Sequence, residues 1–379
     1  MAPHRPERHA EVHPGGQAAS PRLPIPRVDC RKLRILSSLQ QRTGVGNMRN
    51  VLALLAVLAA GNAVAAEAPA YTTMGVAGLR TGVIINEADC PRGAGSVWIR
   101  APHSDGTIEG TCIRYYAAGL SASTSDAIVF IHGNRLARSY DSEGRLIRIG
   151  SAEAYGTATE ESLERAAALQ SAALGHPFII LARPGYYGSS GIAAEQYRRR
   201  EILLVNGALD AIKQRHGIAR FGVSSQSGGG PSLGGILALR DDVPCATFSS
   251  SLTAFDERDR ALGAALRAPA LRQVTQDPYD PIREVANVRP SAERRVFIVG
   301  DPEDRQVPFP SQQAYAEALR QQGVNVAITT SSAVGTTHHS LGATGQRSVG
   351  WCLDGLPEGE ILSRMARGEA TYLLQGGFY

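Results

Sequence analysis

From about residue 127 onward, short continuous apolar segments alternate with longer segments that carry apolar residues at helical spacing. Continuous apolar runs are typical of strands buried on both faces of a parallel sheet, because helices cover both faces of such sheets. The sequence therefore predicts an α/β fold with a mostly parallel central sheet and helices on both of its faces. Six strands are predicted: Ala127–Ile131, Phe178–Ala182, Phe221–Ser225, Cys245–Ser249, Arg295–Val299 and Val326–Thr330.

The intervening segments predict helices, a hairpin and a small cap. Two shorter alternating runs, Gly95–Arg100 and Thr111–Ala117, flank a turn-like segment at 104–106 and predict an antiparallel hairpin. Leu252–Val288 has helical parts broken by prolines and is predicted to form a small cap over the sheet. Five helices are predicted: Glu160–Ala173, Ala193–His216, Pro231–Arg240, Pro310–Gln322 and Leu341–Leu353.

A secretory signal peptide is predicted at residues 48–66. It combines a basic start at Arg49, an apolar run over Val51–Ala60 and a small-residue exit at Ala63–Ala66. The apolar run is too short to cross a bilayer whose hydrocarbon core is about 30 Å thick. The sequence therefore predicts export to the periplasm or the extracellular space, without a membrane segment once the signal is removed.

Residues 1–47 precede this signal and are rich in Arg, Pro, His and Gly, without apolar periodicity. Such a segment cannot bury a core, so it is predicted to be a disordered or non-native extension. Because a signal peptide rarely begins so far into a chain, Met48 is the expected true start. Residues 67–379 are then long enough for one large α/β domain.

The basic charge of the chain comes from its first 66 residues. They hold nine of the 39 Lys and Arg and three of the 35 Asp and Glu, so the remainder has a formal charge of −2 rather than the +4 of the whole. No basic stripe interleaved with aromatic residues is present in the sequence. We therefore expect no nucleic-acid partner.

Four cysteines remain after the signal, an even number that favours two disulfides in an exported chain. Proximity in the sequence favours Cys90–Cys112 and Cys245–Cys352, and the other two connectivities stay open. No Cys or His spacing is typical of a metal site, so no metal is expected.

Ser227 follows directly after a predicted strand, within the segment Ser225–Pro231 that leads into a helix. A serine in such a strand-to-helix turn presents its hydroxyl on a sharp bend, with the helix N-terminus behind it. The pattern is Ser-x-Ser-x-Gly, with Ser225 at its first position. Ser227 is therefore the candidate nucleophile.

Three acids follow the strand Arg295–Val299: Asp301, Glu303 and Asp304. A buried carboxylate at this strand end would orient a histidine and stabilise its charged form. The sequence favours Asp304, because it lies just before the next helix, and leaves the other two open.

Two adjacent histidines, His338 and His339, follow the last predicted strand. A loop there can reach back across the sheet edge to Ser227, and at most one of the two acts as a base. The sequence favours His338, which lies three residues after Gly335, and leaves His339 as the alternative.

The strand Ala127–Ile131 ends in a His-Gly-Asn segment. There the backbone N–H of Asn134, together with that of Gly228, is expected to hold the oxyanion of a tetrahedral intermediate. His132 is interpreted as a structural residue of this turn. Another strand is followed by a glycine-rich loop in which Tyr186 and Tyr187 either line the entrance to the site or form only a turn.

With these residues in place, the sequence resembles the α/β-hydrolase superfamily over roughly Val97–Gly350. The resemblance implies the α/β-hydrolase fold, with Ser227 as nucleophile, Asp304 as acid and His338 as base. It departs from the family pattern at Ser225 and in an extra residue before Asp304. The motifs that carry it occur in the family's order: the His-Gly loop at 132–133, the turn at 225–229, the acid loop at 300–308 and the His338 loop.

The activity implied by this resemblance is two-step acyl transfer through a covalent acyl-enzyme, with no cofactor. A carboxylic-ester hydrolase acting on a small-molecule ester is the first hypothesis. A secreted serine peptidase or amidase is the alternative, and a non-catalytic binding protein on the same scaffold is the third. The sequence leaves the substrate's acyl and leaving groups and the oligomeric state open.

Overall fold

The computed structural model describes residues 74, 76–91, 93, 95–140, 146–151, 153–266 and 278–368. All of them belong to one compact unit, Ala68–Tyr379. The predicted N-terminal extension at 1–47 and the predicted signal peptide at 48–66 lie outside the described residues.

The elements follow the alternation predicted from the sequence. None of the described helices is long and apolar enough to cross a membrane. The strands are β1 (Ser96–Pro102), β2 (Ile108–Ala118), β3 (Asp126–Ile131), β4 (Leu136–Tyr140), β5 (Leu146–Ser151), β6 (Phe178–Leu181), β7 (Arg220–Gln226), β8 (Cys245–Ser249), β9 (Arg295–Gly300) and β10 (Val326–Thr330). The helices are α1 (Val76–Thr81), α2 (Glu153–Gly156), α3 (Glu160–Leu174), α4 (Arg199–His216), α5 (Gly230–Leu239), α6 (Phe255–Leu266), α7 (Phe309–Gln321), α8 (Gly342–Leu353) and α9 (Glu358–Ala366).

Within the described residues, eight strands form one sheet in the order β1-β2-β6-β3-β7-β8-β9-β10. Strand β2 runs antiparallel to β1 and β6, and the other neighbouring strands are parallel. The predicted mostly parallel sheet is confirmed. The chain passes from β3 to β6 on one side of β3 and then to β7 on its other side. Ligand sites of α/β sheets lie beyond the carboxyl ends of the strands at such a reversal.

Alternate residues of the central strand β3 enter two different hydrophobic cores. Ala127, Val129 and Ile131 belong to the core covered by α4, α5 and α7. Ile128 and Phe130 belong to the opposite core, which is covered by α3, α8 and α9. Because both faces are buried, the strand is apolar from Ala127 to Ile131, as the sequence predicted.

The predicted helix over Ala193–His216 is interrupted in the structure. A 3-10 turn spans Ala193–Glu195, and α4 begins only at Arg199. Tyr197, between them, has a φ of +72°, which no residue within a right-handed α-helix adopts. The predicted end is confirmed, because Gly217 caps α4 in the left-handed conformation.

The hairpin formed by β4 and β5 was not predicted from the sequence. It is a separate two-stranded antiparallel sheet that begins two residues after Asn134. The predicted cap over Leu252–Val288 contains α6 and a short 3-10 turn at Val285–Asn287, and residues 267–277 within it lie outside the described residues.

Two disulfides join the four cysteines of the described residues, and both predicted pairings are confirmed. Cys90–Cys112 joins the segment before β1 to strand β2. Cys245–Cys352 joins the start of β8 to the end of α8, across 107 residues of sequence. Persistent disulfides are typical of oxidising compartments, which fits an extracellular protein.

Removing each disulfide is predicted to lower the free energy of unfolding by about 2–5 kcal/mol. The Cys245→Ala/Cys352→Ala variant should lose about 1.4 kcal/mol more than the Cys90→Ala/Cys112→Ala variant, because it releases a loop of 107 rather than 22 residues. Equilibrium unfolding in guanidinium chloride measures both losses. A larger loss from the shorter loop would contradict the prediction.

Candidate active site

Ser227 begins a 3-10 turn that connects the carboxyl end of β7 to α5. Its φ is +51°, a left-handed conformation that is strained for a residue other than glycine. The same turn packs tightly on β3, since a Cβ at Gly229 would lie 2.4 Å from the carbonyl oxygen of Ile131. The strand, turn and helix that the sequence predicted around Ser227 are therefore present.

Ser225, the residue by which this turn departs from the family pattern, is fully buried. Its hydroxyl oxygen lies 3.0 Å from that of Ser251, so the two side chains share a hydrogen bond. A buried hydroxyl without a partner would be costly. Ser251 therefore explains how a serine is accommodated at this position.

Asp304 pairs with His339, the alternative histidine of the sequence analysis. The Nδ1 atom of His339 lies 2.8 Å from one carboxylate oxygen of Asp304 and 3.0 Å from the other. Asp304 also accepts backbone N–H groups from Gln306 and Val307, at 2.8 and 2.9 Å. The carboxylate is thus fixed on one side by the backbone and holds the imidazole on the other.

The position of His339 leaves its other ring nitrogen available as a base. The Nε2 atom of His339 is buried and has no hydrogen-bond partner among the described residues. The side-chain amide of Gln226 donates to the backbone carbonyl of His339 at 2.8 Å. Because Gln226 immediately precedes Ser227, this bond places the histidine beside the turn that carries the serine.

His338, which the sequence favoured, contacts different acids. Its Nδ1 atom lies 3.2 Å from Asp301 and its Nε2 atom 3.4 Å from Glu303, and its side chain is 35% exposed. The φ of His338 is +53°, so the backbone turns between the two histidines and sends their rings to different partners. The geometry therefore corrects the preferred pair from His338 and Asp304 to His339 and Asp304.

Asp301 holds the histidine loop in place. Its carboxylate accepts N–H groups from Ala333 and Glu303, at 2.8 and 2.9 Å, besides its contact with His338. Burial raises the pKa of Asp301, but these hydrogen bonds and His338 outweigh it and hold the pKa below its ordinary value. Asp301 is thus an ionised anchor for the loop rather than a partner of His339.

The His-Gly-Asn segment after β3 lies directly against the serine. A Cβ at Gly133 would lie 2.9 Å from the Cβ of Ser227, so only glycine permits this approach. A Cβ at Gly228 would lie 2.3 Å from the side-chain oxygen of Asn134. Asn134 and Gly228, the two expected oxyanion donors, are therefore neighbours at the serine.

His132 has the structural role that the sequence interpretation gave it. Its ring is fully buried, with Nδ1 2.7 Å from the carbonyl oxygen of Gly133 and Nε2 accepting the backbone N–H of Arg183 at 3.2 Å. Burial, with the nearby charges of Arg183 and Arg135, holds the pKa of His132 well below its ordinary value. A neutral imidazole satisfies both hydrogen bonds.

Tyr186 and Tyr187 do not line an open entrance. Both are buried, and their rings contact the ring of His132 edge-on, with centroids at 5.2 and 4.7 Å. They pack against the first residue of the His-Gly turn. A cavity of about 570 Å³ is lined instead by residues that include Gln196, Arg198 and Tyr279. Ser227 is not among its lining residues.

No group of three or more His, Cys, Asp or Glu in the described part of the chain is placed to hold a metal ion. No family model and no curated protein matches the chain.

Solved structures similar to this one include two peptidases and an esterase. An acylaminoacyl peptidase in complex with a chloromethyl ketone is 13% identical (TM-score 0.45), over 72% of this chain and 44% of its own. A puromycin-hydrolyzing peptidase from Mycobacterium tuberculosis is 15% identical (TM-score 0.40), over 72% of this chain and 39% of its own. An esterase from Pyrococcus furiosus is 13% identical (TM-score 0.42), over 76% of this chain and 96% of its own.

The chain thus spans less than half the length of the two peptidases and nearly the whole length of the esterase.

The two adjacent histidines allow a matched test of the base. His339→Ala is predicted to slow the reaction of Ser227 with a fluorophosphonate probe by about 10²–10⁴-fold, because no group then accepts the serine proton. His338→Ala should slow it less than about tenfold, since the acids that this ring pairs with in the described part of the chain are Asp301 and Glu303 rather than Asp304. Time-resolved labelling followed by mass spectrometry gives both rates. A slower reaction in the His338 variant than in the His339 variant would reverse the assignment.

Proposed function

We propose that this chain, which has the α/β-hydrolase fold, is an exported serine hydrolase that cleaves carboxylic esters. The observation that carries the proposal is the pairing of His339 with Asp304 beside a strained Ser227, where the strand order reverses. A serine, a histidine with one free ring nitrogen and a fixed carboxylate are the groups that acyl transfer needs. The two disulfides support export.

In the first half of the proposed reaction, Nε2 of His339 takes the proton of Ser227 while Oγ attacks the ester carbonyl carbon. The carbonyl π electrons move onto its oxygen, which accepts the backbone N–H groups of Asn134 and Gly228. Asp304 stabilises the imidazolium that forms. The carbon–oxygen bond to the alcohol then breaks, and His339 donates its proton to the departing alkoxide.

In the second half, a water molecule takes the place of the alcohol. His339 removes a proton from the water, and the resulting hydroxide attacks the carbonyl carbon of the acyl-enzyme. The oxyanion forms again in the same position between Asn134 and Gly228. The bond to Ser227 Oγ then breaks, His339 returns the proton to Oγ, and the carboxylic acid leaves. Ser227 and His339 have then returned to their starting states. The proposed reaction uses only the ester and water, without a cofactor.

The experiment that tests this proposal combines labelling with turnover. Wild-type protein is expected to bind one fluorophosphonate per chain at Ser227 and to hydrolyse short aryl esters. Ser227→Ala should abolish the labelling and lower kcat by about 10⁶-fold. Ser171→Ala is the matched control, because Ser171 lies near the end of α3 and precedes the amino end of β6, whereas Ser227 follows the carboxyl end of β7.

Aryl amides and peptides are assayed beside the esters. Ester turnover that disappears in the Ser227 variant, with slower or absent amide turnover, supports the proposal. Faster turnover of amides than of matched esters would overturn ester cleavage in favour of amide cleavage. A folded wild type that neither labels nor turns over any of these substrates would overturn catalysis altogether.

A further inference from the structure

A buried ion pair lies beneath the His-Gly loop. Arg183, two residues after β6, has no exposed side-chain surface, and Glu201 in the first turn of α4 has 5%. Nε of Arg183 donates to the carboxylate of Glu201 at 2.5 Å. Desolvation makes such buried pairs weak sources of stability, since hydrophobic residues of similar volume often serve as well. The contacts of this pair indicate another role.

Arg183 holds both residues that flank Gly133. Its Nη1 atom donates to the side-chain oxygen of Asn134 at 3.0 Å and lies 3.4 Å from the carbonyl oxygen of His132. Its backbone N–H donates to the ring of His132. One buried arginine is therefore bonded to the loop on each side of the glycine that touches Ser227.

The other end of the ion pair holds Tyr197. The second carboxylate oxygen of Glu201 accepts the backbone N–H of Tyr197 at 2.6 Å, in the turn that interrupts the predicted helix. The hydroxyl of Tyr197 accepts a hydrogen bond from the side-chain amide of Asn134. Arg183, Asn134, Tyr197 and Glu201 thus form a closed ring of contacts, called here the Arg183 ring.

The Arg183 ring closes over the residue after the nucleophile. A Cβ at Gly228 would lie 2.3 Å from the side-chain oxygen of Asn134 and 2.7 Å from the hydroxyl of Tyr197. The ring therefore touches Gly228 on one side and includes Asn134 on the other. These are the two residues whose backbone N–H groups donate hydrogen bonds to the oxyanion in the proposed reaction.

We propose that Arg183 is a positioning residue that sets the oxyanion hole. Through the Arg183 ring it fixes the direction of the Asn134 backbone N–H relative to that of Gly228. The inference rests on the proposed acyl transfer and adds the group that aligns its donors. A misplacement of about 1 Å in such a site can cost about 100-fold in rate.

The shape of the guanidinium explains why this position carries arginine. Its Nε faces Glu201 while its Nη1 faces Asn134, and the planar group holds both directions at once. A lysine has one nitrogen and can neutralise Glu201, but it cannot hold both partners in this geometry. Arg183→Lys therefore keeps the buried charge paired and releases Asn134.

The test compares Arg183→Lys with wild-type protein on one aryl ester. Arg183→Lys is expected to lower kcat about 10- to 100-fold and to change KM less than about threefold, because the hole acts mainly in the transition state. Affinity for an aryl trifluoromethyl ketone should fall in parallel. Ser227 Oγ adds to the carbonyl carbon of this inhibitor, and His339 takes the serine proton. The ketone oxygen becomes an oxyanion that lies in the hole.

Two further variants test the path through Asn134. Asn134→Ala keeps its backbone N–H but removes the side-chain acceptor, and its kcat loss should resemble that of Arg183→Lys. The double variant should lose no more than the larger single loss, since both changes break one chain of contacts. Tyr197→Phe breaks the Arg183 ring without touching the ion pair and should lower kcat in the same direction.

Arg294→Lys is the matched control for loss of a buried arginine. Arg294 is also buried, but it donates to backbone carbonyls, including those of Val243 and Leu237, next to the amino ends of β8 and β9. This variant should lower Tm and leave kcat unchanged. Fluorophosphonate labelling to completion counts the folded active sites, so every kcat is expressed per labelled site.

The outcomes separate the two levels of the proposal. An active wild type in which Arg183→Lys, Asn134→Ala and Tyr197→Phe keep full kcat and inhibitor affinity per site overturns the positioning role alone. Additive losses in the double variant also overturn it, because they show independent actions. A wild type without hydrolase activity overturns the proposed function and this inference with it.

Discussion

Burial of the parallel sheet on both faces is the constraint on which the rest of the structure depends. Strand β3 contributes Val129 to one core and Phe130 to the other, and helices close over each side. Side chains in the middle of the strands therefore pack in one of the two cores. Chemically useful groups can project only from the strand ends, where the chain leaves the sheet. Ser227, Asp304 and the His-Gly loop all lie at such ends.

The strand ends bury polar side chains, and several of these side chains have specific hydrogen-bond partners. His132 is kept neutral by burial and by the charge of Arg183, whereas His339 faces the carboxylate of Asp304. The site thus places two histidines in opposite electrostatic surroundings, one beside a cation and one beside an anion. In the proposed reaction, this contrast gives His132 a structural role and gives His339 the proton transfer.

Much of the fold could be predicted because its signals are local in sequence. The bounds of β8 and β10 agree with the predicted strands Cys245–Ser249 and Val326–Thr330, since a continuous apolar run needs no distant partner to be recognised. The break at Tyr197 could not be predicted in this way. A left-handed backbone is unfavourable for tyrosine, and here the carboxylate of Glu201 stabilises it by accepting the Tyr197 backbone N–H. Helical periodicity gives no signal for such a contact.

The β4–β5 hairpin was missed for a related reason. Its strands pair with each other rather than with the main sheet, so the alternation of strands and helices gives no signal for them. Tyr186 and Tyr187 stayed ambiguous in the sequence, because a glycine-rich loop is compatible with an exposed entrance or a buried turn. Their contacts with His132 come from another strand end, more than 50 residues earlier in the chain.

By itself, the sequence determined the order of a serine, an acid and a histidine at three strand ends, and proximity in the sequence favoured the disulfide pairing that the structure has. Only the tertiary structure decided which histidine meets Asp304. His338 and His339 are adjacent and chemically identical, so no local pattern separates them. The choice depends on the left-handed backbone at His338 and on carboxylates some 35 residues away in sequence, which come within reach of the two rings only when β9 and β10 pair.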